Sequence, residues 1–155
     1  MNLFELPAAQ AVQGSRQNLG RTGALPSRIL IVEDERVLAK NMKSYLSRGG
    51  SDVRTAASAA QALEMIATFA PDAVVLDYGL PDVDGLQTYA ELVRRQSRRM
   101  EGVLITGNPT VQLERDAREL GIRHVIGKPF RIADLERLLA AANVATADAP
   151  VGVAE

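Results

Sequence analysis

From residue 28 to residue 142 the chain alternates short apolar runs with stretches of helical spacing, and this alternation limits its fold more than any other feature of the 155 residues. The runs are Ile29–Val32, Ala73–Leu76, Val103–Ile105 and Val125–Ile126, with a weaker one near Val53. Short continuous apolar runs suit strands buried on both faces, as in a parallel sheet. Between them, Leu38, Met42, Tyr45 and Leu46 mark one helix, which Gly49-Gly50 should end. Ser58 and Gln61 read as a capping box ahead of a second helix, with Leu63, Ile66 and Ala67 on one face. Leu86, Ala90 and Val93 mark a third, Val111, Leu113, Ala117 and Leu120 a fourth, and Ile132, Leu135, Leu138 and Leu139 a fifth. Five strand–helix pairs predict an α/β fold: a doubly wound, five-stranded parallel sheet with helices on both faces.

Residues 1–27 and 143–155 lack this periodicity and read as flexible extensions, with a short ordered turn expected at Leu3 to Leu6. Composition narrows the function classes. Only 4% of residues are aromatic and none is Trp, so the core is expected to be aliphatic. A net charge of -1, from 18 basic and 19 acidic side chains, gives the whole chain no pull toward nucleic acid or an anionic membrane. Absent cysteines exclude disulfides and thiol catalysis. No apolar stretch approaches the roughly 18 residues of a membrane helix, and the first residues do not read as a signal peptide. A cytoplasmic protein is expected.

In a doubly wound sheet, side chains at the strand C-termini converge where strand order reverses. Glu33 and Asp34 follow the first run, Asp77 the third, Thr106 the fourth, and Lys128 with Pro129 the fifth. Three crowded carboxylates repel unless a cation lies among them, and Mg²⁺ suits a site of few carboxylates, water and a phosphate oxygen. Lys128 adds a fixed positive charge and Thr106 a hydroxyl donor. Such a set can receive a phosphoryl group on a carboxylate. Glu33 and Asp34 also suit the positive end of the following helix.

The stretches ILIVEDE (Ile29–Glu35), VVLDYGLPDVDG (Val74–Gly85), LITG (Leu104–Gly107) and GKPF (Gly127–Phe130) resemble the response-regulator receiver family of two-component signalling. The resemblance holds in order and spacing across residues 28–142. It implies the flavodoxin-like strand order 2-1-3-4-5. It also implies Asp77 as phosphoacceptor, with Glu33, Asp34, Asp77 and the Gly79 backbone carbonyl holding Mg²⁺. Thr106 and Lys128 would contact the phosphoryl group, the Lys128–Pro129 bond would be cis, and Gly107 would leave room for the phosphodonor. The partners implied are a histidine kinase or histidine phosphotransfer protein, and a downstream protein. The face of the fourth helix, fifth strand and fifth helix would serve that protein or a homodimer.

Two positions depart from the family's pattern. Glu33 stands where Asp is commoner, and Val125 where a rotating Tyr or Phe is usual. The lone histidine, His124, should face away from Val125 and is read as structural or surface. Arg94, Arg95, Arg98 and Arg99 are read as a solvated helix terminus rather than a nucleic-acid patch. The expectation is a stand-alone receiver, or one separated from its partner chain, with no output domain and no direct nucleic-acid binding. It would act on itself, by phosphorylation and slow dephosphorylation, rather than as a metabolic enzyme. The alternatives are a receiver-like interaction module independent of phosphate, and an aspartate-nucleophile phosphatase. The phosphatase would want a second Asp where Gly79 stands.

Overall fold

The structure, a computed structural model, describes residues 24–148, with side chains described as far as residue 142. The turn expected at Leu3 to Leu6 therefore lies outside the described residues, as do residues 149–155. Among the described residues five strands alternate with five helices: β1 (Arg28–Val32), α1 (Arg36–Ser47), β2 (Asp52–Ala56), α2 (Ala59–Phe69), β3 (Ala73–Asp77), α3 (Gly85–Arg95), β4 (Glu101–Thr106), α4 (Val111–Glu119), β5 (His124–Gly127) and α5 (Ile132–Asp148).

All strands pair in parallel, in the order β2-β1-β3-β4-β5. The direction of winding reverses between β1 and β3, so the crevice beyond their C-terminal ends is where polar groups can gather. Central strands are apolar on both faces because helices cover both. Leu30, Val32, Val74, Leu76 and Leu104 pack with residues of α2, α3 and α4. Ile29, Ile31, Val75, Val103 and Ile105 pack with Met42 and Leu46 of α1 and Leu135 and Leu139 of α5. Ile29 to Val32 are wholly buried, each contributing roughly 2 kcal/mol of hydrophobic transfer.

The helix ends follow local chemistry. Ser58 Oγ accepts from the Gln61 N–H at 3.1 Å, while Gln61 Oε1 accepts from Ala57 N, one residue before the cap. Asp84 and Thr110 cap α3 and α4 in the same way. α1 stops at Ser47, and Gly50 takes a φ of 100°, which glycine adopts without a Cβ clash.

Three helix faces differ from those expected. In α3 the buried residues are Gly85, Thr88, Tyr89 and Leu92, while Ala90 and Val93 are exposed. Thr88 can be buried because its hydroxyl donates to the Asp84 carbonyl at 2.8 Å, and Tyr89 because its hydroxyl donates to the Met100 carbonyl at 3.0 Å. In α4 only Leu113 and Ala117 of the four expected residues are buried; Val111 and Leu120 face solvent. In α2 Ala67 is exposed, and Ala59, Ala62, Ile66 and Phe69 form the buried face. The last helix runs to Asp148, six residues past the boundary expected at 142. Ala140, Ala141 and Ala142 lead into that stretch, and within it Ala145 and Ala147 favour helix.

Candidate functional site

Each strand expected to deliver a polar residue to the crevice does so. β1 ends at Val32, and the chain turns through Glu33 and Asp34 into α1. Glu33 points inward and is 2% exposed, whereas Asp34 lies open to solvent. Asp77 is the last residue of β3 and is 6% exposed. Carboxylate oxygens of Glu33, Asp34 and Asp77 all lie within 4.8 Å of one another. Thr106 ends β4 and is buried; Lys128 directly follows β5, and its own peptide bond to Pro129 is cis.

Lys128 is the cation of this cluster. Its Nζ lies 3.4 Å from Asp77 Oδ2 and 3.6 Å from Glu33 Oε1. Burial alone would lower the Lys128 pKa, but the Glu33 and Asp77 charges outweigh it and the net shift is upward. The opposite holds for Glu33, whose pKa is pushed up to about 7. Burial is the main cause and the neighbouring Asp77 charge adds to it, against the Glu35 N–H and Lys128.

Glu33 Oε2 accepts from the Glu35 N–H at 3.0 Å. Glu33 Oε1 is buried and accepts no hydrogen bond. A buried carboxylate oxygen without a donor is costly, and a cation among the three carboxylates would relieve it. Oxygen-only donors in this number fit a hard divalent ion. The residues present therefore fit a metal site.

The remaining contacts set orientation. Asp77 Oδ1 accepts from the Gly79 N–H at 3.1 Å, which leaves Oδ2 toward Lys128. Thr106 Oγ1 accepts from Asn108 N at 3.1 Å, so the hydroxyl hydrogen remains for another acceptor. Gly79 and Gly107 are exposed, and a Cβ at either would meet no atom within 4 Å. Gly107 thus borders open space beside Thr106.

Val125, paired in register with Leu104, is half-buried against the α2–α4 side of the core. Ile126 packs on the α1–α5 side. His124 is half-buried, and burial followed by the Arg123 charge lowers its pKa. The arginines near α3 do more than offset a helix dipole. Arg94 and Arg95 pair with Glu91, Arg98 with Asp72, and Arg99 lies 3.9 Å from Glu101. Arg98 and Arg99 stand beyond the end of α3 at Arg95. Sequence reasoning gave no role to Asp82, whose carboxylate binds the N-terminus of α2; a turn aspartate carries no sign of a partner 22 residues away.

Comparison with known proteins agrees with this geometry. A family model described as the response regulator receiver domain matches residues 29–140. Response regulator MprA of Mycobacterium sp. (strain KMS) is 32% identical over 111 residues, covering 72% of this chain and 48% of that protein. The chain spans about half the length of the curated relatives it matches. Among solved structures, the non-phosphorylated HemR receiver domain from Leptospira biflexa aligns with a TM-score of 0.68 at 28% identity, over 79% of this chain and 97% of that one. A CheY-like receiver domain from Methylobacillus flagellatus aligns with a TM-score of 0.63 at 30% identity, over 74% and 96%. Fold, motif order and family match converge: the chain belongs to the response regulator receiver domain family of two-component signalling.

Proposed function

We propose that this protein is a phosphorylation-dependent signalling switch. Asp77 takes a phosphoryl group from the phosphohistidine of a histidine kinase or phosphotransfer protein, and Mg²⁺ is the metal. The observation that carries this reading is the placement of Asp77 Oδ2 3.4 Å from Lys128 Nζ, inside a cluster of three carboxylates. In the transfer, an Asp77 carboxylate oxygen forms the new O–P bond as the N–P bond breaks. The released electron pair stays on the donor imidazole.

Catalysis of such a step is largely positioning and charge stabilisation. The Gly79 N–H fixes one oxygen of Asp77 and leaves the other to react. Lys128 offsets negative charge on the phosphoryl oxygens, and the Thr106 hydroxyl donates to one of them. Open space beyond Gly107 admits the donor. Glu33, Asp34, Asp77 and the Gly79 carbonyl would hold Mg²⁺, which when bound supplies positive charge against the phosphoryl oxygens. Dephosphorylation is the attack of water on the same phosphorus, so the protein acts on itself rather than turning over a substrate.

The output is binding. Phosphate at Asp77 adjusts the face formed by α4, β5 and α5, where a downstream protein or a second copy docks. We place the protein in the cytoplasm, beside the kinase domains that would supply it; no helix among the described residues is long and apolar enough to cross a membrane.

The test is intact mass after incubation with acetyl phosphate and Mg²⁺. One added phosphoryl group per chain, lost on chelation and in Asp77→Asn, is the expected result. Wild-type protein that gains no mass from several donors contradicts the proposal. Turnover of many phosphate esters per chain would instead make it a phosphatase.

A further inference from the structure

Asp82 stands five residues after Asp77, in the segment joining β3 to α3. Its carboxylate serves a different helix. Oδ1 accepts from the Ala59 N–H at 3.1 Å and Oδ2 from the Ala60 N–H at 3.0 Å, both in the first turn of α2. Those two N–H groups hold the Asp82 pKa below the ordinary carboxylate range. The helix does not depend on Asp82 alone for its start, because Ser58 Oγ already accepts from Gln61 N. A carboxylate bridging two successive N–H groups 23 and 22 positions away fastens the acceptor segment to α2.

The rest of that segment shows what the fastening controls. Leu80 is buried in the core cluster to which α2 and α3 contribute, and Asp84 caps α3. Gly79 has no side chain to pack and is exposed. Its backbone direction is therefore set by the N–H bond to Asp77 and by what holds the chain on its far side. On that side the chain is held by buried Leu80, one residue on, and by the Asp82 carboxylate, three residues on.

We propose that Asp82 is a positioning residue. By tying the acceptor segment to the N-terminus of α2, it sets the Gly79 carbonyl and Asp77 for metal and phosphoryl binding. The inference rests on the reading of Gly79 as a Mg²⁺ ligand. It makes a helix that supplies no ligand a determinant of metal affinity.

The experiment compares Asp82→Ala, Asp82→Asn and Ser58→Ala in the full chain. Mg²⁺ affinity is measured by calorimetric titration with MgCl₂, and amide exchange of Gly79, Leu80, Asp82 and Val83 without metal. Asp82→Ala should raise the Mg²⁺ dissociation constant roughly tenfold, as groups that orient a metal ligand do without touching the metal, and should speed exchange across the segment. Asp82→Asn keeps one acceptor oxygen and should recover part of both. Ser58→Ala removes a cap from the same helix and should lower Tm by roughly 4 °C, leaving affinity and segment exchange unchanged.

Wild-type affinity and exchange in Asp82→Ala would overturn the proposal. Equal effects from Ser58→Ala would overturn it as well, since they would trace to helix stability. Wild-type protein that binds no Mg²⁺ contradicts the functional reading and the metal link together; segment exchange then decides the anchor by itself.

Discussion

Lys128 Nζ and Asp77 Oδ2 lie 3.4 Å apart although 51 positions separate the two residues in the chain. Lys128 also stands 3.6 Å from Glu33, so one ammonium faces two carboxylates that would otherwise repel. Removing it should harm stability and chemistry together. Lys128→Ala is expected to cost roughly 1–2 kcal/mol in metal-free protein, the lower range for a pair that keeps some solvent. Its phosphoryl uptake should fall by about 10²-fold, as when one charge-stabilising donor is lost. Denaturant unfolding and initial rates with acetyl phosphate measure the two effects.

Glu33 predicts a pH dependence. Its folded pKa, about 7 against an ordinary 4.5, means that folding favours the protonated carboxyl. The stabilising contribution is complete below pH 4.5 and is lost as pH rises through about 7. Glu33→Gln stays neutral throughout. In metal-free buffer it should therefore be more stable than wild type at about pH 8, by at most ~3 kcal/mol, with the gap closing toward about pH 5. Mg²⁺ should stabilise wild type more at the higher pH, because a carboxylate ligand must be deprotonated. Thermal melts with and without MgCl₂ across this range check both signs.

Two glycines near the site should respond in opposite ways. A Cβ at Gly85 would lie 2.8 Å from the Asp77 carbonyl oxygen and 2.9 Å from Tyr78 Cα, both backbone atoms that cannot swing aside. Gly85→Ala is expected to cost about 2 kcal/mol or more through overpacking. Gly107→Leu enters open space and should change stability by less than about 0.5 kcal/mol. It should slow transfer from a phosphohistidine protein by roughly tenfold, and from small acetyl phosphate by less. Tm and donor-dependent rates separate the two behaviours.

What was legible in the chain follows from burial on both faces. β1 and β3 stood out because Ile29–Val32 and Ala73–Leu76 are apolar at every position, as central strands must be. β2 was faint because it lies at the sheet edge, with only Val53 and Ala56 of its five residues buried. β4 begins at Glu101, earlier than its apolar run, because a strand in mid-sheet keeps its pairing through a polar first residue. The site residues were readable since strand ends are where a doubly wound sheet gathers polar groups. Tyr89 and Thr88 were missed as core residues because their burial depends on hydroxyl bonds to distant or preceding carbonyls. Asp82 was missed for a related reason: a long-range side-chain bond leaves no periodicity behind.

The central claim is that Asp77, among the acidic residues of the crevice, carries the phosphoryl group. Borohydride reduction of the acyl phosphate, followed by peptide mass spectrometry, reads the position directly. Protein treated with acetyl phosphate and Mg²⁺ should show Asp77 alone converted to homoserine. Conversion at Asp34 or Glu33, or none in protein that has gained a phosphoryl group, would contradict the account.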